Sequence, residues 1–235
     1  MIDTAAADLS ALHVVVPLRG SSSGKSRLGE ALDAEEREAL VLGMLARTLD
    51  VLATWSAAQG TWIVTEDQRT IDFLRRARPA VHVISQPFDG GLNAALVAAR
   101  DAAVAAGATA ILMLPADLPL VTLVALNALL EGADAALAAG EGRPVVAIAA
   151  SDVRGGTNAL LITPPTVIEP QFGEASLEAH LRAAESAGAS VQVVIDSALG
   201  FDLDTPEDLE RLDVTHFLEL QQVGHALGGT TAEVG

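Results

Sequence analysis

Cysteine is absent from this sequence of 235 residues, which excludes disulfide bridges and metal sites built from thiolates. Aromatic residues make up only 3% of the chain, although half of all residues are hydrophobic. The core must therefore be built from Ala, Val, Leu and Ile, a composition that suits helices packed on a sheet of branched side chains. The five histidines are scattered and form no pair with metal-ligand spacing.

Long apolar segments are also missing. The longest apolar runs are far shorter than a membrane span, and the N-terminus lacks the basic-then-apolar pattern of a signal peptide. We therefore expect a cytoplasmic protein that has no membrane partner.

Basic residues are scarce, because 14 Lys and Arg oppose 31 Asp and Glu and the formal net charge is -17 at pH 7. Such a surface repels the phosphates of nucleic acids and acidic membranes, so neither is an expected partner. An anionic substrate must then be held by local cations or by a bound divalent metal.

The pattern of elements predicts one domain over residues 1–235, with loose tails at residues 1–11 and 224–235. Strands and helices alternate with short loops, which is typical of a three-layer αβα fold around a parallel sheet. Right-handed crossovers place the loops that follow the strands at one edge of such a sheet. We expect the loop at residues 19–27, the turn at Gly90-Gly91 and Asp117 to meet at that edge.

Asp117 follows an apolar run at residues 110–114 that reads as a buried strand. Ligands of open α/β sheets bind outside the carboxyl ends of the strands, so Asp117 would face a metal or a phosphate. The local sequence equally allows Asp117 to cap a helix that starts near Pro119. A second acidic stretch favours the ligand role, because Asp202 and Asp204 are two residues apart and face the same way on an extended segment.

Residues 20–26 resemble a nucleotide-binding P-loop after the first strand, which ends at Pro17. A P-loop has four residues between its first glycine and Gly-Lys-Ser/Thr, whereas three separate Gly20 from Gly24. We interpret the match as coincidental and expect the cations of this loop, Lys25 and Arg27, to hold a triphosphate. A solvated loop without function is the alternative.

Six blocks then occur in the order in which a known family carries them. They are Pro17 followed by Lys25-Ser26-Arg27-Leu28; Gly91-Leu92-Asn93-Ala94-Ala95; Pro115-Ala116-Asp117-Leu118-Pro119; Gly156-Thr157-Asn158-Ala159-Leu160; Phe172-Gly173 with Ser176 and His180; and Asp202-Leu203-Asp204-Thr205-Pro206. With these blocks the sequence resembles the guanylyltransferases of deazaflavin coenzyme F-420 biosynthesis. That family includes the 2-phospho-L-lactate and phosphoenolpyruvate guanylyltransferases and is related to the molybdenum-cofactor, or MobA-like, nucleotidyltransferases. The resemblance spans about residues 12–212, although the loop at residues 19–24 is looser than the family's usual one.

The resemblance implies a Rossmann-like nucleotidyltransferase fold with a mostly parallel, mixed sheet. It implies transfer of GMP from GTP to the phosphate of phosphoenolpyruvate or 2-phospho-L-lactate, with Mg²⁺ as the cofactor and pyrophosphate as the second product. The carried-over catalytic residues are Lys25, Arg27 and Asp117, and the metal ligands are Asp117, Asp202 and Asp204. The sequence does not choose between the two acceptors, and its Ala/Leu-rich composition permits a homodimer.

The resemblance also assigns the two substrate pockets. Gly91 and Asn93 would line the nucleoside pocket, although Asn93 could merely cap a turn. Thr157, Gly173 and Ser176 would bind the acceptor phosphate, a role compatible with Ser176 being the N-cap of a helix at residues 177–187.

His180 reads as a packed or surface histidine, because transfer from a phosphate needs no strong general base. A P-loop kinase or NTPase and a non-catalytic nucleotide-binding module are the competing functions.

Overall fold

The structure, a computed structural model, describes residues 6–19, 25–86, 90–140, 142–152 and 155–228. Its strands are β1 (Leu12–Leu18), β2 (Ala58–Thr65), β3 (His82–Ser85), β4 (Ala110–Met113), β5 (Val145–Ala150), β6 (Thr157–Thr163) and β7 (Ser190–Val194). Its helices are α1 (Ala34–Thr54), α2 (Gln68–Ala77), α3 (Gly91–Ala105), α4 (Leu123–Ala139), α5 (Ser176–Ser186), α6 (Ser197–Gly200), α7 (Pro206–Arg211) and α8 (Val214–Gly228), and a 3-10 helix spans Ser26–Glu30.

The strands form one sheet in the order β3-β2-β1-β4-β6-β5-β7. All run in one direction except β6, which is antiparallel to both β4 and β5. Alternate side chains of a strand point to opposite faces, and on β1 Val14 and Val16 join one core while Val15 joins the other. Helices cover both faces, so the predicted three-layer αβα fold with a mostly parallel, mixed sheet is confirmed.

The reversal of β6 decides which residues reach the ligand edge. The other strands deliver their carboxyl ends there, whereas β6 delivers its first residue, Thr157, which pairs with the last residue of β5, Ala150. Asn158, the second residue of β6, lies at the same edge. The first half and the later, less regular half of the chain therefore meet at one edge.

Two predicted boundaries were wrong in ways that matter. Helix α4 begins at Leu123, not near Pro119, because the side chain of Thr122 accepts from the Ala125 N–H as N-cap. Asp117 lies well before this cap, so it is not the N-cap of α4. Strand β1 continues through Pro17 to Leu18, because its register with β4 stops at Val15 while its pairing with β2 continues.

Parts of both predicted tails are ordered. Residues 224–228 complete α8, and a Cβ on Gly224 would lie 1.7 Å from the carbonyl oxygen of Ala39 in α1. At the other end, the Asp8 N–H donates to Thr163 Oγ1 at 2.8 Å. These close contacts come from distant parts of the chain, which local sequence patterns do not reveal. Among the described residues, no helix has the length and apolar character needed to cross a membrane.

Candidate active site

A cleft of about 540 Å³ opens at the ligand edge of the sheet. Five of the predicted site residues line it: Lys25, Arg27, Asp117, Gly173 and Asp204. Arg19, at the end of β1, lines it as well. The cleft thus places cations from the first loop beside carboxylates from two later segments.

Lys25 joins the two acidic segments. Its Nζ donates to Asp117 Oδ2 at 2.8 Å and also to Asp204 Oδ1. The lysine side chain is only 10% exposed, whereas each carboxylate is about one-third exposed. Burial of the ammonium lowers the pKa of Lys25, but the charges of Asp117 and Asp204 outweigh it, so the pKa lies above its ordinary value. The amine is therefore a fixed positive charge.

The local backbone at Lys25 differs from that of a P-loop. Residues 20–24 of the predicted loop lie outside the described part of the chain. Lys25 has a left-handed φ of 58°, and a five-residue 3-10 helix follows it instead of a long α-helix. Helix α1 starts only at Ala34, after its N-cap Asp33. A P-loop continues directly into its helix, so this geometry does not favour the kinase reading.

The main chain brings the acidic segments together. The Leu203 N–H donates to the carbonyl oxygen of Asp117 at 3.1 Å. The carboxylate of Asp208, which is almost completely buried, accepts from the main-chain N–H groups of Asp204 and Thr205. Asp208 thereby closes the N-terminus of α7 and holds Asp204 at the cleft. Thr205 is the N-cap of this helix.

Asp202 takes a different set of partners. Its Oδ1 accepts from Ser151 Oγ at 3.2 Å and from Asn158 Nδ2 at 3.4 Å. Asn158 also donates to the carbonyl oxygens of Leu199 and Gly200, which pins the segment before Asp202 to β6. Among the described residues, no three His, Cys, Asp or Glu side chains already converge as a ready metal site.

The carboxylates nonetheless fit a cation. Asp117 and Asp204 point at one position that the Lys25 ammonium occupies, so the site is built around positive charge. Carboxylate oxygens are the ligands that hard divalent cations prefer. Asp117 and Asp204 would hold such an ion, and Asp202 lies in the same segment as Asp204.

The predicted acceptor residues form a second cluster. Ala175, with a left-handed φ of 53°, is the N-cap of α5 and makes no side-chain cap bond. The prediction that Ser176 caps this helix was therefore wrong. Its Oγ instead accepts from the Thr157 N–H at 2.9 Å and so ties α5 to the start of β6. Gly173 has a φ of 136°, a conformation that side chains rarely allow.

His180 is a buried part of this cluster. Its side chain is fully enclosed, with Nδ1 at 2.9 Å from Thr157 Oγ1 and Nε2 accepting from the Gln171 N–H at 2.9 Å. Burial lowers the pKa of His180 to about 4. The packed interpretation holds, but the ring is also bonded at both nitrogens beside a predicted acceptor residue.

Asn93 supports the same cluster from α3. Its side-chain amide donates to the Phe172 carbonyl oxygen at 3.0 Å and accepts from the Phe172 N–H at 2.9 Å. This reciprocal pair fixes the backbone just before Gly173. Gly91 has a left-handed φ of 83°, and its neighbour Leu92 lines the cleft.

Asn158, Asp208 and His180 were not among the predicted site residues. Asn158 and His180 belong to the sequence blocks that match the family, and this membership could have marked them as site residues. Their roles, however, depend on partners in distant segments. The spacing of Thr205 and Asp208 predicts a helix cap and gives no sign that the same carboxylate holds Asp204.

The fold is one that solved nucleotidyltransferases share. The chain superposes on the solved structure of a nucleotidyl transferase from Methanothermobacter with a TM-score of 0.57 and 19% identity, covering 88% of this chain and 98% of the other. At this identity the likeness concerns the fold. Nucleotidyltransferases typically need a divalent metal, which agrees with the acidic pair at the cleft.

Residues 12–216 match the family described as Guanylyl transferase CofC like, and the chain belongs to that family. It is 40% identical over 204 residues to a phosphoenolpyruvate guanylyltransferase of Rubrobacter xylanophilus, covering 87% of this chain and 94% of the relative. It is 38% identical to a 3-phospho-D-glycerate guanylyltransferase of Phenylobacterium zucineum, covering 83% and 87%. It is 36% identical to a 2-phospho-L-lactate guanylyltransferase of Halomicrobium mukohataei, covering 84% and 83%.

Proposed function

We propose that this protein transfers GMP from GTP to the phosphate of phosphoenolpyruvate or 2-phospho-L-lactate, as in the biosynthesis of coenzyme F-420. One observation carries the proposal: a single cleft joins Lys25 and Arg27 to the Asp117–Asp204 pair and to Gly173 of the acceptor cluster. A transfer between two polyanions needs this combination of cations, carboxylates and a phosphate-binding segment.

The reaction exchanges one phosphorus–oxygen bond for another. An oxygen of the acceptor phosphate forms a bond to the α-phosphorus of GTP, and the bond from that phosphorus to the oxygen bridging to the β-phosphorus breaks. The electron pair leaves with pyrophosphate. Lys25 and Arg27 lie where their charges offset the negative charge that builds up on the triphosphate.

The proposed acceptor site combines Gly173, which lines the cleft, with the buried residues Thr157 and Ser176, which do not line it. Thr157 and Ser176 offer hydroxyl groups, and the main chain around Gly173 offers N–H groups, which together suit a phosphate. The main chain at Gly91 is our proposed wall for the nucleoside. Asn93, which fixes the backbone that precedes Gly173, is the second proposed residue of the nucleoside pocket.

Mg²⁺ is the proposed cofactor, with Asp117, Asp202 and Asp204 as its ligands. When bound, it neutralises charge on the triphosphate and orients the reacting phosphates. Asp202 would supply its carboxylate from the position in which Ser151 and Asn158 hold it.

The acceptor is the part of the function that needs a direct measurement. The three relatives are named for phosphoenolpyruvate, 3-phospho-D-glycerate and 2-phospho-L-lactate, which all carry a phosphate and a carboxylate on a three-carbon chain. Discrimination among such acceptors depends on pocket contacts worth about 1–3 kcal/mol each.

The test is pyrophosphate release from GTP with Mg²⁺, measured without an acceptor and with each of the three in turn. We expect release only with an acceptor, fastest with phosphoenolpyruvate or 2-phospho-L-lactate, together with one GMP-acceptor product detected by mass spectrometry. Nucleoside diphosphate and inorganic phosphate in place of pyrophosphate would support the kinase or NTPase reading. GTP binding without turnover for any acceptor would support the non-catalytic module.

A further inference from the structure

The two ring nitrogens of His180 have partners that fix where its proton lies. Nε2 is 2.9 Å from the main-chain N–H of Gln171. A main-chain N–H can only donate, so Nε2 must accept and cannot carry a hydrogen. The ring is neutral near pH 7, since burial lowers its pKa to about 4. Its single N–H is therefore on Nδ1.

This tautomer decides the role of the Thr157 hydroxyl. Nδ1 lies 2.9 Å from Thr157 Oγ1, and with its hydrogen on Nδ1 the ring donates to that oxygen. The Thr157 hydroxyl oxygen therefore accepts the hydrogen bond from His180 with one lone pair. Its own proton remains available to donate to another acceptor. The reverse arrangement would place two N–H groups head to head between His180 and Gln171.

The Ser176 hydroxyl is in the same situation as that of Thr157. Its Oγ accepts from the Thr157 N–H, so its hydroxyl proton is also available for a further acceptor. Both residues are almost completely buried, and the bond between the Thr157 N–H and Ser176 Oγ places them side by side at the ligand edge of the sheet. Two neighbouring donors, each with an oxygen lone pair already used by protein, form a site that suits a group that only accepts hydrogen bonds, such as an ionised phosphate.

We propose that His180 is a positioning residue for the acceptor: it holds the Thr157 hydroxyl as a hydrogen-bond donor to the acceptor phosphate. The proposal deepens the proposed function and rests on it. Because the device recognises the phosphate and not the carbon chain, it serves any of the phosphorylated acids named for the three relatives.

A purely structural role for His180 is the rival explanation. The ring could serve only to accept from the Gln171 N–H and so hold the segment that leads to Gly173. Two substitutions separate the roles. In His180→Asn, the amide nitrogen can take the place of Nδ1 and keep the donation to Thr157. In His180→Gln, the amide oxygen can take the place of Nε2 and keep the bond from Gln171.

The measurement is the KM for phosphoenolpyruvate and for GTP, with the thermal midpoint of each variant. We expect His180→Gln to raise the acceptor KM about tenfold with little change in the GTP KM, and His180→Asn to stay within about threefold of the parent. The opposite order, with Asn impaired and Gln close to the parent, would overturn the proposal in favour of the structural role.

A double-mutant cycle keeps the test decisive if either variant is unstable. Thr157→Val removes the hydroxyl, so adding His180→Gln to it should raise the acceptor KM by no more than about twofold further. If the acceptor KM of the double variant rises by the product of the two single-variant factors, the two residues act independently and the proposal is contradicted. Turnover of the parent enzyme separates the two proposals. If the parent shows no acceptor-dependent turnover, the proposed function is wrong. If the parent turns over normally but the two substitutions act independently on the acceptor KM, only the role of His180 is wrong.

Discussion

At the scale of single residues, buried polar neighbours hold the carboxylates of the cleft. Asn158 bonds to Asp202, and Asp208 bonds to the main chain of Asp204. Both supporting side chains are at least nine-tenths buried. Each can therefore affect the site strongly without contacting a substrate.

Asp117 gives a direct test of the acidic pair. We expect Asp117→Asn to lower acceptor-dependent pyrophosphate release at least a hundredfold, because the amide keeps the shape but removes the negative charge that a divalent cation needs. The thermal midpoint should stay close to that of the parent. Asp134→Asn, at an exposed position on α4, is the matched control and should retain full turnover. Near-normal turnover of Asp117→Asn with Mg²⁺ would disprove the metal role.

Lys25 tests the proposed triphosphate site and the acidic pair together. We expect Lys25→Ala to raise the KM for GTP more than that for the acceptor, because the loop cations face the triphosphate in our assignment. The variant also leaves Asp117 and Asp204 close together without the ammonium between them. Added Mg²⁺ should then raise its thermal midpoint more than it raises that of the parent, since the ion no longer competes with Lys25. A selective rise in the acceptor KM would mean that the two subsites are reversed.

The buried histidine makes stability depend on pH. The pKa of His180 falls from 6.5 to about 4 in the folded protein, so between these values the unfolded chain binds more protons. Its contribution to the free energy of unfolding is present above about pH 6.5 and is lost as the pH falls towards 4. We expect the parent to lose about 2 kcal/mol more than His180→Asn over this window in urea titrations. Parallel pH profiles of the two proteins would contradict the buried, neutral ring.

The sequence predicted five of the residues that line the cleft, but not the partners that hold them. Lys25, Asp117 and Asp204 could be chosen because loops after parallel strands share an edge and because the blocks match a family. The contact between His180 and Thr157 spans 23 positions. No periodicity encodes such a contact, and its discovery requires the fold.

At the scale of elements, two glycines allow α1 and α8 to cross at close range. A Cβ on Gly43 would lie 2.1 Å from the Leu220 carbonyl oxygen, and Gly224 approaches Ala39 in the same way. We expect Gly43→Ala to lower the free energy of unfolding by about 1–3 kcal/mol, because the backbones must move apart. Gly132→Ala is the matched control in α4, since its Cβ would lie 2.9 Å from Gln192 Cγ, a side-chain atom, and not against main chain. Urea unfolding should show that this control loses less stability than Gly43→Ala, because a side chain can move more easily than a helix backbone and alanine favours the helix.

Element boundaries show why helix signals must be weighed against their surroundings. An acidic residue followed by Pro119 looks like a helix start, yet the chain makes turns at residues 116–117 and 119–120, and Thr122 supplies the cap. Ser176 looks like a cap too, but its oxygen bonds across to β6. Local sequence predicts that a helix begins nearby, but long-range hydrogen bonds determine which side chain acts as its N-cap.

At the scale of the whole molecule, charge is distributed unevenly. The chain carries a net charge of -17, yet Arg19, Lys25 and Arg27 all line one cleft. A local cluster of cations in an acidic protein concentrates the attraction for anions at a single place. The acidic remainder of the surface opposes non-specific binding of polyanions.

Lys25 is also the only lysine in the chain. The purified protein therefore offers amine-reactive reagents two targets, the ε-amine of Lys25 and the terminal α-amine. Acylation requires a neutral amine, and the two carboxylates that raise the pKa of Lys25 keep it charged and almost buried. Intact-mass spectrometry should show one acetyl group after mild treatment of the folded protein and two after treatment in urea. The extent of Lys25 acetylation therefore measures whether the ion pairs of the cleft have formed.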